Sequence, residues 1–175
     1  MPGVVRTRGM TQAAPTPHRR AILLAGAALG LVAASPALAD ERAFANAPQR
    51  RLSDDQWKHM LSEESYDVLR HEGTERPYTS SLLNEHRRGT FACLGCGLPL
   101  FKSDWKFDSG TGWPSFFTAI DANLGRKSDH ALLEERTEYH CARCLGHQGH
   151  VFDDGPKPTG LRYCNNGVAL KFIPA

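Results

Sequence analysis

Apolar residues along this chain change their spacing three times. From Ala21 to Ala34 they form a nearly unbroken run, Ala21-Ile22-Leu23-Leu24-Ala25-Gly26-Ala27-Ala28-Leu29-Gly30-Leu31-Val32-Ala33-Ala34, with no polar face. Between Ser53 and Gly73 they recur at the three- and four-residue intervals of a helix with one buried stripe. Beyond Gly89 they fall into short runs and alternations separated by Gly, Asp, Ser and Pro, which is the pattern of β-structure. Residues 40–52 carry little pattern and read as a mobile arm.

The helical stretch predicts two short helices. Ser53-Asp54-Asp55-Gln56 resembles a capping box with acids in the first turn, ahead of Trp57, Met60 and Leu61 at helical spacing. A second cap stands at Ser62, and Gly73 occupies the place of the left-handed residue that ends a helix. The clearest strand runs from Arg162 to Phe172. Period 2 puts Val168, Leu170 and Phe172 on a core face, and Arg162, Cys164 and Asn166 continue that face into a polar pocket at the strand's end. Residues 53–175 therefore read as one mainly β domain with short N-terminal helices, of the α+β class.

Charge and composition single out the N-terminus. Residues 1–39 hold four arginines and no acid, then the apolar run, then Ser35-Pro36-Ala37-Leu38-Ala39, the layout of a secretory signal cleaved before Asp40. An uncleaved anchor is the alternative, for which the run is short. The adjacent Arg19-Arg20 suits the twin-arginine route for proteins exported already folded, with an ordinary Sec signal as the other reading. The expectation is a periplasmic or secreted protein with no stable membrane insertion after cleavage. Without the signal, lysine and arginine number 17 against 19 acids, so the net charge of +2 becomes −2. That leaves no basic surplus for nucleic acid.

Four of the five cysteines form two Cys-x-x-Cys pairs, Cys93/Cys96 and Cys141/Cys144. Two such pairs can close a tetrahedral zinc site, with the glycines of Cys93-Leu94-Gly95-Cys96-Gly97 easing the backbone turn. The second pair, Cys141-Ala142-Arg143-Cys144-Leu145, lacks the trailing glycine. A filled four-thiolate sphere is structural and would tie two distant hairpins together. Two disulfides are the alternative in an oxidising compartment, but each would close a very small loop. His140 reads as an outer residue, not a fifth ligand.

Cys164 is left over. A lone cysteine is usually a small buried hydrophobe, but Arg162 and Asn166 share its face by parity, and a guanidinium beside a thiol favours the thiolate and lowers its pKa. Gly146-His147-Gln148-Gly149-His150 supplies two histidines, which a bulge at Gly149 would bring to one face. Ser109-Gly110-Thr111-Gly112-Trp113-Pro114-Ser115-Phe116 leads a glycine-rich turn into aromatic residues that could form an apolar cup.

Taken together, Cys93-x-x-Cys96, Phe107-Asp108-Ser109-Gly110-Thr111-Gly112-Trp113-Pro114-Ser115-Phe116, Gly149-His150-Val151-Phe152-Asp153-Asp154-Gly155-Pro156 and Thr159-Gly160-Leu161-Arg162-Tyr163-Cys164-x-Asn166 closely resemble the B-type methionine-R-sulfoxide reductases. The resemblance implies two antiparallel β-sheets pinned by one structural Zn2+ on Cys93, Cys96, Cys141 and Cys144. It implies Cys164 as the nucleophile on the sulfoxide sulfur, forming a sulfenic acid, with His147 and His150 orienting and protonating the oxygen. Asn166 and Arg162 would shape the charge around the thiolate, and Trp113, with Phe116, would hold the substrate's methyl group. The substrates implied are oxidised proteins or peptides carrying methionine-R-sulfoxide. Thr111 stands where many members carry a resolving cysteine, so an external thiol reductant, thioredoxin-like or other, would regenerate Cys164. A non-enzymatic zinc-pinned binding module would need the metal cysteines without Cys164, and a thiol peroxidase would have no need of the Trp113 cup.

Overall fold

The computed structural model describes residues 3, 41–130 and 135–175; apart from Gly3, the expected signal over 1–39 lies outside the described residues. Among the described residues no helix is long and apolar enough to cross a membrane. Helix α1 (Asp54–Met60) starts from the expected capping box: the Gln56 N–H donates to Ser53 Oγ, and the Ser53 N–H donates to Gln56 Oε1 at 2.8 Å. Helix α2 (Glu63–His71) is capped by Ser62, which accepts from the Ser65 N–H. Its left-handed terminal residue is Glu72 (φ 59°), one position before the glycine expected to take that role. Gly73 is needed for space: a Cβ there would lie 2.1 Å from the Asp67 carboxylate.

Among the described residues nine strands follow: β1 (Gly89–Cys93), β2 (Pro99–Lys102), β3 (Lys106–Phe107), β4 (Ser115–Phe116), β5 (Leu124–Asp129), β6 (Arg136–Cys141), β7 (His147–Phe152), β8 (Arg162–Asn165) and β9 (Leu170–Pro174). They form two antiparallel sheets, of order β2-β1-β9 and β3-β4-β8-β7-β6-β5. Aromatic rings fill the core. Phe101 stacks on Phe116 with centroids 4.1 Å apart, and the edges of Tyr139 and Tyr163 close around it. Offset and edge-to-face contacts of this kind add to the burial energy of the rings themselves.

The expected single strand over 162–172 is two strands in different sheets, β8 and β9, joined by a 3-10 turn at Gly167–Ala169. Glu75, only 3% exposed, makes the break: its carboxylate accepts from the N–H groups of Gly167 at 2.5 Å and Val168 at 3.0 Å. Those donors are thereby removed from any strand ladder. In β8 the core face is the odd one, Tyr163 and Asn165, while Arg162 and Cys164 face the other way.

Residues 41–52, expected as a mobile arm, are docked. Arg50 donates to the carbonyls of Ala142 at 2.7 Å and Arg143 at 3.3 Å, Phe44 lies under the Arg143 guanidinium, and Glu41 Oε1 meets His140 Nε2 at 2.9 Å. The segment lacked a periodic signal because it is held by single side chains reaching backbone carbonyls, not by a stripe.

Candidate active site and metal centre

The two Cys-x-x-Cys turns come from different sheets, one closing the β1–β2 hairpin and the other joining β6 to β7. In both turns the residue after the second cysteine is left-handed, Gly97 at φ 73° and Leu145 at φ 60°, and its N–H donates to the first cysteine's carbonyl at 2.8 Å. Leu145 therefore makes, at some steric cost, the turn that a glycine makes in the first pair. Trp57 and Leu69 pack behind these turns: a Cβ on Gly95 would meet the Trp57 ring at 3.2 Å, and one on Gly146 would meet Leu69 at 2.8 Å.

All four sulfurs lie within 4.8 Å of one another, with Cys93–Cys144 at 3.6 Å and Cys96–Cys141 at 3.4 Å, and all five cysteines are free thiols. Tetrahedral zinc with Zn–S bonds of about 2.3 Å separates its ligand sulfurs by roughly 3.8 Å, so the donor set fits such an ion. His140 takes no part; it is held between Glu138 and Glu41. Gln148 is fully buried and directs its Nε2 at Cys93 Sγ, 3.5 Å away.

Cys164 opens into a cleft of about 120 Å³ lined among others by Trp113, His150, Phe152, Asn166 and Arg136. A wider groove of about 590 Å³ lies along the helices, lined by Lys58, Leu61, Tyr66 and His71. It holds no thiol, so the small cleft carries the chemistry. Trp113 forms its wall as expected, and its Nε1 donates to the Glu75 carbonyl at 3.1 Å. Phe116 does not reach the cleft; it points from β4 into the core against Phe101, and Phe152 supplies the second aromatic wall.

The histidines are brought together as foreseen, with centroids 5.4 Å apart. The irregularity responsible lies between the pairs Tyr139↔Gly149 and His140↔His147, so Gln148 is the extra residue of the bulge. Gly149 lets β7 close on β8, where a Cβ would fall 1.9 Å from the Cys164 carbonyl oxygen. Each imidazole is backed by a carboxylate from outside the motif: His147 Nδ1 meets Glu138 Oε1 at 2.7 Å, and His150 Nε2 meets Asp129 Oδ2 at 2.7 Å. Burial lowers the His150 pKa against the pull of Asp129, which keeps that ring neutral at neutral pH. Burial also raises the Glu138 carboxyl, but hydrogen bonds from His140 and His147 outweigh it and hold it at about 2.

The Cys164 thiol departs from expectation. Burial pushes its pKa up from 9.0, and Arg162 and Thr111 offset this only in part. Arg162 is shared with Asp154 through Nε–Oδ1 at 2.7 Å and Nη2–Oδ2 at 2.8 Å, while its guanidinium stacks on Phe152. Asn166 is likewise occupied, accepting from the Glu75 N–H at 3.0 Å and donating to the Gln148 carbonyl at 3.1 Å. It braces the cleft floor. Glu75 thus joins Trp113, Asn166 and the turn after Cys164, a convergence invisible in sequence because Glu75 is 89 residues from the thiol. Alkylation of the free protein by iodoacetamide is accordingly expected to accelerate with a midpoint above 9.0. A midpoint below about 8 would show that Arg162 and Thr111 outweigh the burial of the thiol.

A two-sheet scaffold with a four-cysteine cluster that fits a metal ion, presenting one thiol between aromatic walls and carboxylate-backed histidines, is that of a thiol-dependent oxidoreductase. Comparison with known proteins agrees. The SelR domain matches residues 61–174. The chain is 52% identical over 125 residues to the peptide methionine sulfoxide reductase MsrB of Bradyrhizobium diazoefficiens, covering 70% of this chain and 88% of that protein. The proteins of the same name from Thiobacillus denitrificans and Methanosarcina barkeri are each 50% identical, over 70% and 69% of this chain and 93% and 85% of theirs. The chain belongs to the SelR-domain, MsrB family of oxidoreductases.

Proposed function

We propose that this chain reduces the R diastereomer of methionine sulfoxide in oxidised proteins or peptides, with Cys164 as the nucleophile. What carries this reading is the single thiol outside the cysteine cluster, set in a side-chain-sized cleft between Trp113 and Phe152 and beside His150. The thiol enters protonated. It loses its proton as it attacks the sulfoxide sulfur, and the substrate oxygen gains a proton, with neutral His150 suited to relay it and His147 behind it. The oxygen then passes to Cys164. The substrate sulfur gains two electrons and leaves as methionine, and the thiol sulfur loses two and becomes a sulfenic acid. Trp113 and Phe152 offer the methyl group an apolar wall, and the Arg162–Asp154 pair and Asn166 hold the thiol's strand and floor.

No second thiol outside the cluster is available, and Thr111, whose hydroxyl acts on Cys164, stands where a resolving thiol would be useful. Two equivalents of an external thiol would therefore regenerate the enzyme through a mixed disulfide, releasing water. The metal is zinc in this reading, purely structural. The composition of residues 1–39 supports cleavage, export by the twin-arginine or Sec route, and work in the periplasm or outside the cell. The mature charge of −2 supports partners other than nucleic acid.

A peptide carrying each sulfoxide diastereomer tests the reading. One equivalent of the R form without reductant should yield one methionine per protein and a Cys164 that reacts with sulfenic-acid probes, both metal pairs remaining reduced. Equal turnover of the S form, or an internal disulfide involving Cys93, Cys96, Cys141 or Cys144, would overturn it. Thr111→Cys should convert the same product into a disulfide with Cys164, provided the two Cα atoms come within about 7 Å.

A further inference from the structure

We propose that Glu138 is a positioning residue for His147, fixing which ring nitrogen of that histidine is presented behind His150. The inference rests on the reading of the cleft given above. Glu138 and His147 are each 2% exposed, and the Oε1–Nδ1 contact is 2.7 Å. An ionised carboxylate can only accept, so Nδ1 carries a hydrogen, and when the ring holds a single hydrogen its Nε2 is the acceptor. Among the described residues Nε2 is buried with no hydrogen-bond partner. A buried acceptor left empty costs free energy unless something fills it during turnover, and the neighbouring ring, His150, is the one that lines the cleft.

The carboxylate is itself immobilised. Its second oxygen meets His140 Nδ1 at 3.1 Å, and His140 Nε2 meets Glu41 Oε1 at 2.9 Å. With one histidine on each oxygen Glu138 cannot rotate away from His147. Glu41 stands outside residues 61–174 that the SelR domain matches, so the far end of this chain of contacts is supplied by the docked segment at 41–52. The arrangement is the carboxylate–imidazole pairing by which a buried acid sets a histidine's tautomer.

Long-range ¹H–¹⁵N correlation on the zinc-loaded wild-type protein should show His147 with its hydrogen on Nδ1; a hydrogen on Nε2 would overturn the proposal whatever the activity. Glu138→Leu removes the acceptor at similar volume. It should slow methionine formation in a single turnover on the order of 10²-fold, while the half-saturating substrate concentration stays within about twofold. Glu138→Gln keeps a carbonyl that can accept from Nδ1. It should return the single-turnover rate to within about tenfold of wild type and restore one tautomer. A folded, zinc-loaded Glu138→Leu protein with a wild-type rate, or a Glu138→Gln protein as slow as Glu138→Leu, would overturn the assignment. Wild-type protein that forms no methionine from either diastereomer would instead sink the functional reading, with the His147 tautomer still reporting on Glu138.

Discussion

Cys164→Ser is expected to abolish sulfoxide reduction, a loss of at least about 10³-fold, while zinc content and melting temperature stay at wild-type values. Position eliminates the other four cysteines. Cys93, Cys141 and Cys144 are buried, Cys96 stands with them within 4.8 Å, and none of the four lines the cleft that holds Cys164. Serine keeps the size of the side chain but is a far weaker nucleophile and cannot store the oxygen as a sulfenic acid. The core face of β8 consists of Tyr163 and Asn165, so the exchange leaves packing untouched. Turnover by the variant, measured as methionine released from an R-sulfoxide peptide, would place the chemistry on another residue.

The second large effect is expected at the metal centre. Cys141→Ser or Cys93→Ser should reduce bound zinc from one per chain to near zero. Stability should fall with it by at least about 3 kcal/mol, a drop in melting temperature of roughly 10 °C or more. The size follows from what the cluster joins. Cys93 ends β1 of the three-stranded sheet and Cys141 ends β6 of the six-stranded one, so losing the ion releases one sheet's hairpin turn from the other's. Trp57 and Leu69 pack behind the same turns and would lose their support. Protein purified without chelators that contains no zinc and two intact disulfides would refute this outcome.

Much of the site could be read before the fold was known, for reasons tied to particular residues. Two Cys-x-x-Cys pairs have one economical use together, and their four sulfurs do converge. Subtraction singled out Cys164, which does open into a cleft with Trp113 and His150, while His147 lies buried behind His150 and outside the cleft lining. The helix caps were legible because Ser53, Gln56 and Ser62 act on backbone groups three residues away. Where the reading failed, a distant side chain had intervened. Parity placed Arg162, Cys164, Asn166 and Phe172 on one strand, but Glu75 took the donors of Gly167 and Val168 and split that strand between two sheets. Arg162 was expected to acidify the thiol and does pull its pKa down, but burial of Cys164, which has no trace in sequence, outweighs it. Phe116 belonged to the aromatic motif yet turned into the core, and Phe152 took its place.

The sequence by itself determined what rests on residue identity and short spacing: the paired-cysteine turns, the helix caps, the thiol left outside them and the family. Tertiary structure alone decided which carboxylate meets which base. Glu138 and Asp129 behind the histidines, Glu75 under the cleft and Glu41 on His140 are brought in by strand pairing and packing across 9 to 99 residues of chain. A hydrogen bond of under 3 Å leaves no periodic trace in sequence, because the direction of a single side chain is set by the packed elements on both sides of it.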